Sequence, residues 1–323
     1  MNIDMIHSAA ARLKGKARKT PLLSSPFLDE IAGRKILVKP ECLQHTGSFK
    51  YRGGYSAISA LNDEQQRAGV IAYSSGNHAQ GVALAALQHD IPAVIIMPHD
   101  APEIKIANTK ALGGRVISYD RAKENREEIG AKMSAQHGLT LIKPYDEPQV
   151  IAGQGTTGLE IAEQAAEFGV NKAQVLVCCG GGGLTSGIAL ALAKHAPEMT
   201  VHSAEPEDFD DTARSLESGD RVVNTCSSGG MCDAILTPTP GAITFPIMKS
   251  HCPSGFVVSD AQVLKTMALA FQRLKIIIEP GGAVALAVAL FSGDKLKTDT
   301  VIAVASGGNV DHDMFQRALK TLN

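Results

Sequence analysis

The feature that most constrains this chain is the alternation of short runs rich in valine and isoleucine with segments of helical periodicity. Such runs are typical of strands buried on both faces of a parallel sheet, and their alternation with helices indicates βαβ units. The sequence therefore predicts an α/β fold with twisted, mostly parallel sheets and helices on both faces. Strands are expected at 35–39, 70–74, 93–97, 115–119, 140–142, 174–178, 200–204, 255–258 and 300–305. Helices are expected at 51–61, 78–87, 105–112, 122–137, 158–168, 187–194, 260–275 and 283–290.

Composition narrows the class of protein. The 323 residues are 44% hydrophobic, which is enough for a packed core and about two domains. A net charge of −2 and an aromatic content of 4% argue against a nucleic-acid partner. No apolar run has the length of a membrane span, and the first residues lack the apolar core of a signal peptide. The six cysteines show no ligand spacing, so we expect free thiols and a cytoplasmic protein.

Four turns of small and polar residues lie at predicted strand ends or helix starts, where ligands of open parallel sheets bind. The run 180–183 is four glycines that lead into a helix, and converging N–H groups there favour a phosphate. The turns 74–78 and 306–309 place hydroxyl and amide groups at two further strand ends, although such residues are also ordinary helix caps. The turn 46–53 contains Lys50, and a desolvated lysine beside a phosphate site can form a Schiff base.

Two phosphate-bearing cofactors are compatible with the glycine run. A nicotinamide dinucleotide requires G-x-G-x-x-G and an acidic residue about 20 positions later, which Glu205 supplies. However, Thr185 and Ser186 stand where the third glycine is needed. Pyridoxal phosphate needs both a phosphate site and a lysine, so the residues favour it. A nicotinamide-linked oxidoreductase stays open as the distant alternative.

Five motifs resemble, in the same order, those of the serine/threonine dehydratases and serine racemases, which are fold-type II pyridoxal phosphate enzymes related to the tryptophan synthase β chain. The motifs are 47–53, 74–78, 152–156, 180–183 and 306–309. The resemblance extends from about Thr20 to Val310. It implies a large pyridoxal-phosphate-binding domain of residues 1–52 and 146–323, a small mobile domain of residues 53–145, and a homodimer.

The resemblance also implies roles for individual residues at the cofactor. Lys50 would hold pyridoxal phosphate and act as the base at the substrate Cα, while Ser75 on the opposite face would return a proton and permit racemisation. Phe49 would pack on the pyridine ring, Asn77 would bind its hydroxyl group, and Ser306 would face its nitrogen. The phosphate would be held by Gly180, Gly181, Gly182, Gly183 and Leu184, and the substrate carboxylate by Ser74, Ser75, His78 and Arg126.

The activity that follows from the resemblance is β-elimination of a small hydroxyamino acid, such as L-threonine or L-serine, to a 2-oxo acid and ammonia. A hydroxyl group at position 306 suits this reaction, since it does not keep the pyridine nitrogen protonated. A serine or aspartate-type racemase and a 3-hydroxyaspartate dehydratase are the alternatives. The last would need an extra cation for the second carboxylate, and the sequence identifies none.

An acidic loop follows the strand after the glycine run. Its charges are also typical of a solvated loop, but Glu205 and Asp211 match the carboxylate pair that binds a divalent cation in serine racemases. The carbonyl group of Phe209 would complete the site. Ligands that are all oxygen favour Mg²⁺, Mn²⁺ or Ca²⁺. The whole stretch 205–240 is expected to be irregular, and a loop of that length is usually functional.

Overall fold

The fold was determined as a computed structural model that describes residues 1–74, 76–101, 103–120, 122–226 and 229–322. The strands are β1 Leu23–Ser24, β2 Lys35–Pro40, β3 Val70–Tyr73, β4 Ala93–Pro98, β5 Arg115–Tyr119, β6 Thr140–Leu141, β7 Ala173–Cys178, β8 Met199–Pro206, β9 Gly255–Val258 and β10 Thr300–Ala305. The helices are α1 Ile3–Leu13, α2 Pro26–Ala32, α3 Lys50–Ile58, α4 Asp63–Ala68, α5 Asn77–Leu87, α6 Glu103–Ala111, α7 Arg126–His137, α8 Pro148–Glu167, α9 Gly183–His195, α10 Asp211–Ser218, α11 Thr244–His251, α12 Asp260–Leu274, α13 Pro280–Phe291 and α14 His312–Leu319. None of these helices is long and apolar enough to cross a membrane.

The strands form two sheets. The larger has the order β1-β2-β10-β7-β8-β9, and the smaller has the order β5-β4-β3-β6. Only the short β1 pairs antiparallel to its neighbour, whereas the other strand pairs of the described residues are parallel. The predicted α/β class with mostly parallel sheets is confirmed.

The larger sheet is buried on both faces, as the continuous apolar runs predict. Because successive side chains point to opposite faces, Val38 and Ala303 pack with α13 in one core cluster. Leu37 and Val304 pack with α9 in another. The smaller sheet is divided in the same way, with α5 and α7 on its two faces.

Helices α8 and α9 approach each other at backbone distance along a seam of glycines. A Cβ atom at Gly187 would lie 2.6 Å from the amide nitrogen of Gly155, and one at Gly158 would lie 2.9 Å from Cα of Ile188. Helix α8 begins ten residues before the predicted start at 158, because Pro148 occupies its first turn and Glu147 caps two backbone N–H groups. The small residues of α8 and α9 permit this close packing.

The stretch 205–240 is more regular than predicted. Strand β8 continues to Pro206, and α10 follows at Asp211. Glu205 explains the helix, since its carboxylate accepts hydrogen bonds from the backbone N–H groups of Thr212 and Ala213 at 2.8 and 2.7 Å. Gly219 ends α10 with φ of +81°.

Candidate active site

A cavity lies between the two sheets, where the carboxyl ends of β3 and β7 meet the start of α3. It brings together most of the residues that the sequence singles out. These are Phe49, Lys50, Ser74, Asn77, His78, Arg126, Gly180, Gly181, Gly182, Gly183 and Leu184. Ser75 lies outside the described residues, and Ser306, Glu205, Phe209 and Asp211 do not line this cavity.

Lys50 is the first residue of α3 and presents its amine to the cavity. Its Nζ donates a hydrogen bond of 2.7 Å to the carbonyl oxygen of Pro144 and lies 5.1 Å from the centre of the Phe49 ring. Desolvation lowers the pKa of Lys50 to about 8, although the negative charge of Glu279 opposes the shift. An amine with this pKa has a substantial neutral, nucleophilic fraction near physiological pH.

The glycine run connects β7 to α9 and opens that helix towards the cavity. Gly182 has φ of +87°, and a Cβ atom at Gly181 would lie 2.2 Å from Cδ2 of Tyr145. Thr244 fixes the turn, since its hydroxyl donates a hydrogen bond of 2.6 Å to the carbonyl oxygen of Gly181. The first N–H groups of a helix have no partner within it, so this helix start can bind a phosphate.

The described part of the turn 74–78 is held from both ends. The Ser74 hydroxyl accepts a hydrogen bond of 3.1 Å from the N–H group of Gly76. Nε2 of His78 donates one of 2.8 Å to the carbonyl oxygen of Ile142. Burial and the charge of Lys50 lower the pKa of His78 to about 3, so the ring is neutral and its Nδ1 is a hydrogen-bond acceptor.

Asn77 belongs to a partly buried chain of hydrogen bonds. Its Nδ2 donates a hydrogen bond of 2.5 Å to Oε1 of Glu279, and its Oδ1 accepts one of 2.7 Å from Asn309. Desolvation, together with the charge of Asp233, raises the pKa of Glu279 to about 7. Glu279 lines the cavity beside Asn77, and the sequence analysis did not single it out.

Arg126 lines the cavity, whereas Ser306 lies next to residues that line it. Arg126 is the first residue of α7, and its guanidinium group lies 5.2 Å from the centre of the Tyr73 ring. Ser306 follows β10, and its carbonyl oxygen accepts a hydrogen bond of 3.2 Å from the N–H group of Phe49. Cys178, at the end of β7, forms hydrogen bonds with Ser306 and lines the cavity.

The lining includes three further polar residues that the sequence analysis did not assign. They are Lys105 of α6, Tyr145 in the segment before α8, and Gln154 of α8. Both polar side-chain atoms of Gln154 are buried, and neither has a hydrogen-bond partner among the described residues. The motif 152–156 was the only signal for Gln154, and nothing local marks the other two.

Four charged side chains, three of them buried and one partly buried, anchor α3. The guanidinium group of Arg52 makes two hydrogen bonds of 2.8 Å to the two carboxylate oxygens of Glu41. It also binds the two carboxylate oxygens of Glu160 at 2.7 and 2.9 Å. Lys39 adds a contact of 2.6 Å to Glu160, so two positive charges balance two negative ones. We call these four residues the buried charge cluster.

The carboxylates expected at a cation lie apart from the cavity. Glu205 is fully buried, and desolvation, together with the charge of Asp211, raises its pKa well above the usual range. Burial raises the pKa of Asp211 to about 6; one of its oxygens accepts a hydrogen bond from Asn224, and the other is buried without a partner among the described residues. No group of three or more His, Cys, Asp or Glu side chains in the described part of the chain is arranged to hold a metal ion.

Comparison with known proteins identifies the family of this chain. The family model described as pyridoxal-phosphate dependent enzyme matches residues 13–307. The chain is 41% identical to an L-threo-3-hydroxyaspartate ammonia-lyase of Pseudomonas sp., with 97% of this chain and 96% of the relative covered. It is also 41% identical to a serine racemase of Schizosaccharomyces pombe, over 98% and 96% of the two chains.

A solved structure agrees with these relatives. A threonine deaminase of T.th. superimposes with a TM-score of 0.91 at 40% identity, over 96% of this chain and 99% of that one. These comparisons decide against the nicotinamide-linked alternative. The chain belongs to the pyridoxal-phosphate-dependent enzyme family, with ammonia-lyases and amino-acid racemases among its relatives.

Proposed function

We propose that this protein catalyses β-elimination from a small hydroxyamino acid and releases a 2-oxo acid and ammonia. The observation that carries the proposal is the position of the Lys50 amine, which lies in one cavity with the glycine run at the start of α9 and with the turn that opens α5. A phosphate site, a nucleophilic amine and a second helix start are what a pyridoxal phosphate lyase requires.

The residues present fit pyridoxal phosphate. The N–H groups of Gly180, Gly181, Gly182, Gly183 and Leu184 would hold its phosphate, and Gln154 offers two buried polar atoms beside that turn. Phe49 would pack against the ring, Asn77 would bind the ring hydroxyl group, and Ser306 would face the ring nitrogen. When bound, the cofactor supplies an electron sink for negative charge that develops at the substrate Cα.

Side chains and backbone groups of the protein supply the proton transfer and the substrate binding. Lys50 would hold the cofactor and would also be the base that takes the proton from the substrate Cα, for which its lowered pKa is suited. Arg126, Ser74 and the N–H groups at the start of α5 bind the substrate carboxylate. Neutral His78 orients this turn, because its Nε2–H is committed to Ile142 and its Nδ1 cannot donate to a carboxylate.

A serine racemase is the second candidate activity. The motif residue for it is Ser75, which would return a proton on the face opposite Lys50. The resemblance in sequence to serine racemases at 41% identity favours this candidate as a side activity. Following the enantiomer of the amino acid together with the 2-oxo acid separates racemisation from elimination.

We also propose a divalent cation at Glu205 and Asp211, with the Phe209 carbonyl group as a third ligand. Two buried carboxylates with raised pKa values and an unpartnered Asp211 oxygen support it, since a cation would stabilise both negative charges. The cation would be Mg²⁺, Mn²⁺ or Ca²⁺, because every donor is oxygen. Its role would be structural, because none of these residues lines the cavity.

We further propose a homodimer in the cytoplasm and a small mobile domain of residues 53–145, which holds the smaller sheet. Helices α2 and α12 contact each other, and both expose apolar side chains, which supports the dimer. These side chains are Phe27, Ile31 and Phe271. Light scattering after gel filtration gives the mass; a monomer would contradict this part of the proposal.

The test of the main activity uses the purified protein loaded with pyridoxal phosphate. L- and D-serine, L- and D-threonine and the 3-hydroxyaspartates are offered, and 2-oxo acid, ammonia and enantiomers are measured. Lys50→Ala is expected to lose the visible absorbance of the lysine-bound cofactor and the activity. The exposed Lys132→Ala is the matched control and retains both. Formation of 2-oxo acid by Lys50→Ala at the wild-type rate would refute the proposal.

A further inference from the structure

Two cationic side chains reach the cavity from the side of the smaller sheet. Arg126 lies at the start of α7, and Lys105 lies in the first turn of α6. Nζ of Lys105 is 3.8 Å from the position that a Cβ atom on Gly76 would take. Lys105 therefore lies beside the turn that faces the substrate carboxylate.

Lys105 forms an ion pair that a ligand can replace. Its Nζ is 3.3 Å from Oδ2 of Asp233, the first residue of a short 3₁₀ helix at 233–235. The Lys105 side chain is 17% exposed, whereas that of Asp233 is 62% exposed. An ion pair with one partner so exposed contributes little to stability. Asp233 loses little by returning to water, while the ammonium group stays at the cavity wall.

The cavity wall carries more cations than the cofactor lysine and a monocarboxylic substrate use, beside the acidic Asp233 and Glu279. The cations among its described lining residues are Lys50, Lys105 and Arg126. Lys50 is committed to the cofactor, and Arg126 is assigned to the α-carboxylate together with the start of α5. The remaining cation is available to a second anionic group on the substrate.

We infer that Lys105 binds a side-chain carboxylate and makes this enzyme select hydroxyamino acids with two carboxylates, of the 3-hydroxyaspartate class. In the complex, the second carboxylate replaces Asp233 as the partner of Lys105, while Arg126 and the start of α5 bind the α-carboxylate. The inference rests on the proposed function and supplies the extra cation that the sequence did not identify. It makes Lys105 a specificity-determining residue.

The first experiment compares kcat/KM for L-threo-3-hydroxyaspartate with kcat/KM for L-serine. A charge-assisted hydrogen bond contributes about 1.5–3 kcal/mol, so Lys105→Met is expected to lower this ratio about 10- to 100-fold, chiefly through KM for the dicarboxylic substrate. Lys105→Arg keeps the preference. Lys110→Met, an exposed lysine on the same helix, changes the ratio less than about fivefold.

The second experiment measures binding without elimination. L-aspartate and L-alanine differ by one carboxylate, and neither has a β-hydroxyl group to lose. Calorimetric titration of the loaded enzyme is expected to show tighter binding of L-aspartate in the wild type. Lys105→Met removes that advantage, whereas Asp233→Asn increases it, because the competing carboxylate is gone.

The outcomes separate this inference from the proposed function. An unchanged substrate ratio in Lys105→Met, a wild-type preference for L-serine, or equal binding of L-aspartate and L-alanine overturns the role of Lys105 and leaves the lyase proposal intact. A wild type that binds L-aspartate through Lys105 but forms no 2-oxo acid from any hydroxyamino acid overturns the lyase proposal alone.

Discussion

The buried charge cluster gives a sharp prediction about stability, because its four charges sum to zero and are almost fully desolvated. The side chains of Arg52, Glu41 and Lys39 are at most 1% exposed, and that of Glu160 is 16% exposed. Arg52→Met leaves one carboxylate buried without a counter-charge. Breaking a buried pair in this way costs about 3–5 kcal/mol of the free energy of unfolding.

The same balance predicts that the two single losses are not additive. Glu41→Gln leaves an excess of one positive charge, whereas the double variant Glu41→Gln/Arg52→Met restores neutrality around Lys39 and Glu160. The double variant should therefore lose less than the two single variants together, by about 0.5–3 kcal/mol. The partly exposed Arg214 pairs with Asp210 and also binds Asn224, and Arg214→Met, which breaks no fully buried ion pair, should cost about 1 kcal/mol.

Urea unfolding of the apoprotein measures these differences. The chain has no tryptophan and 5 tyrosines, so tyrosine fluorescence is followed together with far-ultraviolet circular dichroism. Coincident transitions justify a single free energy. Strictly additive losses, or a loss in Arg52→Met no larger than in Arg214→Met, would refute the reasoning that charge balance holds α3 in place.

Three further predictions concern the site. Gly181→Ala places a Cβ atom 2.2 Å from Cδ2 of Tyr145, so the ring or the turn must shift; we expect a loss of about 1–3 kcal/mol in unfolding free energy and weaker binding of pyridoxal phosphate, and equal binding by both proteins would contradict this. In the folded chain the pKa of Glu279 is raised to about 7, so the folded state binds its proton more tightly than the unfolded state does. The free energy of unfolding of the wild type therefore falls as the pH rises from about 4.5 to 7. The difference in free energy of unfolding between Glu279→Gln and the wild type should therefore change by about 3 kcal/mol in favour of the variant between pH 4 and 8, measured by urea titrations at several pH values. A difference that does not change with pH would argue against the shifted pKa. Dialysis against chelator should lower the melting temperature of the wild type but not that of Asp211→Asn. An unchanged melting temperature of the wild type would contradict the proposed cation.

The sequence predicted the sheets well because strands of a parallel sheet are buried on both faces. The apolar runs at 70–74 and 174–178 are strong signals for that reason, and both are strands in the structure. The start of α8 was missed because glycine and alanine between 152 and 158 have weak helical patterning. Their helical conformation depends on the contact with α9, which is a tertiary effect.

The site was predictable where a local motif carries it. Lys50, Asn77 and the glycine run each belong to a distinctive turn, and the structure brings these turns to one cavity. Lys105 and Glu279 have no such signal, since a lysine in a helix and a glutamate before a proline occur on many surfaces. Only the packing of the two sheets shows that both face the cavity.

The glycine seam between α8 and α9 has a consequence for cofactor binding. One helix carries Gln154 and the other begins at the phosphate turn, and their backbones are in contact at Gly155 and Gly187. Because no side chain separates the two backbones at Gly155 and Gly187, the helices cannot slide or separate without losing that contact. The phosphate turn is thus preorganised, and little conformational entropy remains to be lost when an anion binds. The half of the cavity that binds the cofactor is thus rigid. Substrate specificity is then determined by the opposite half, where Lys105 and Arg126 lie.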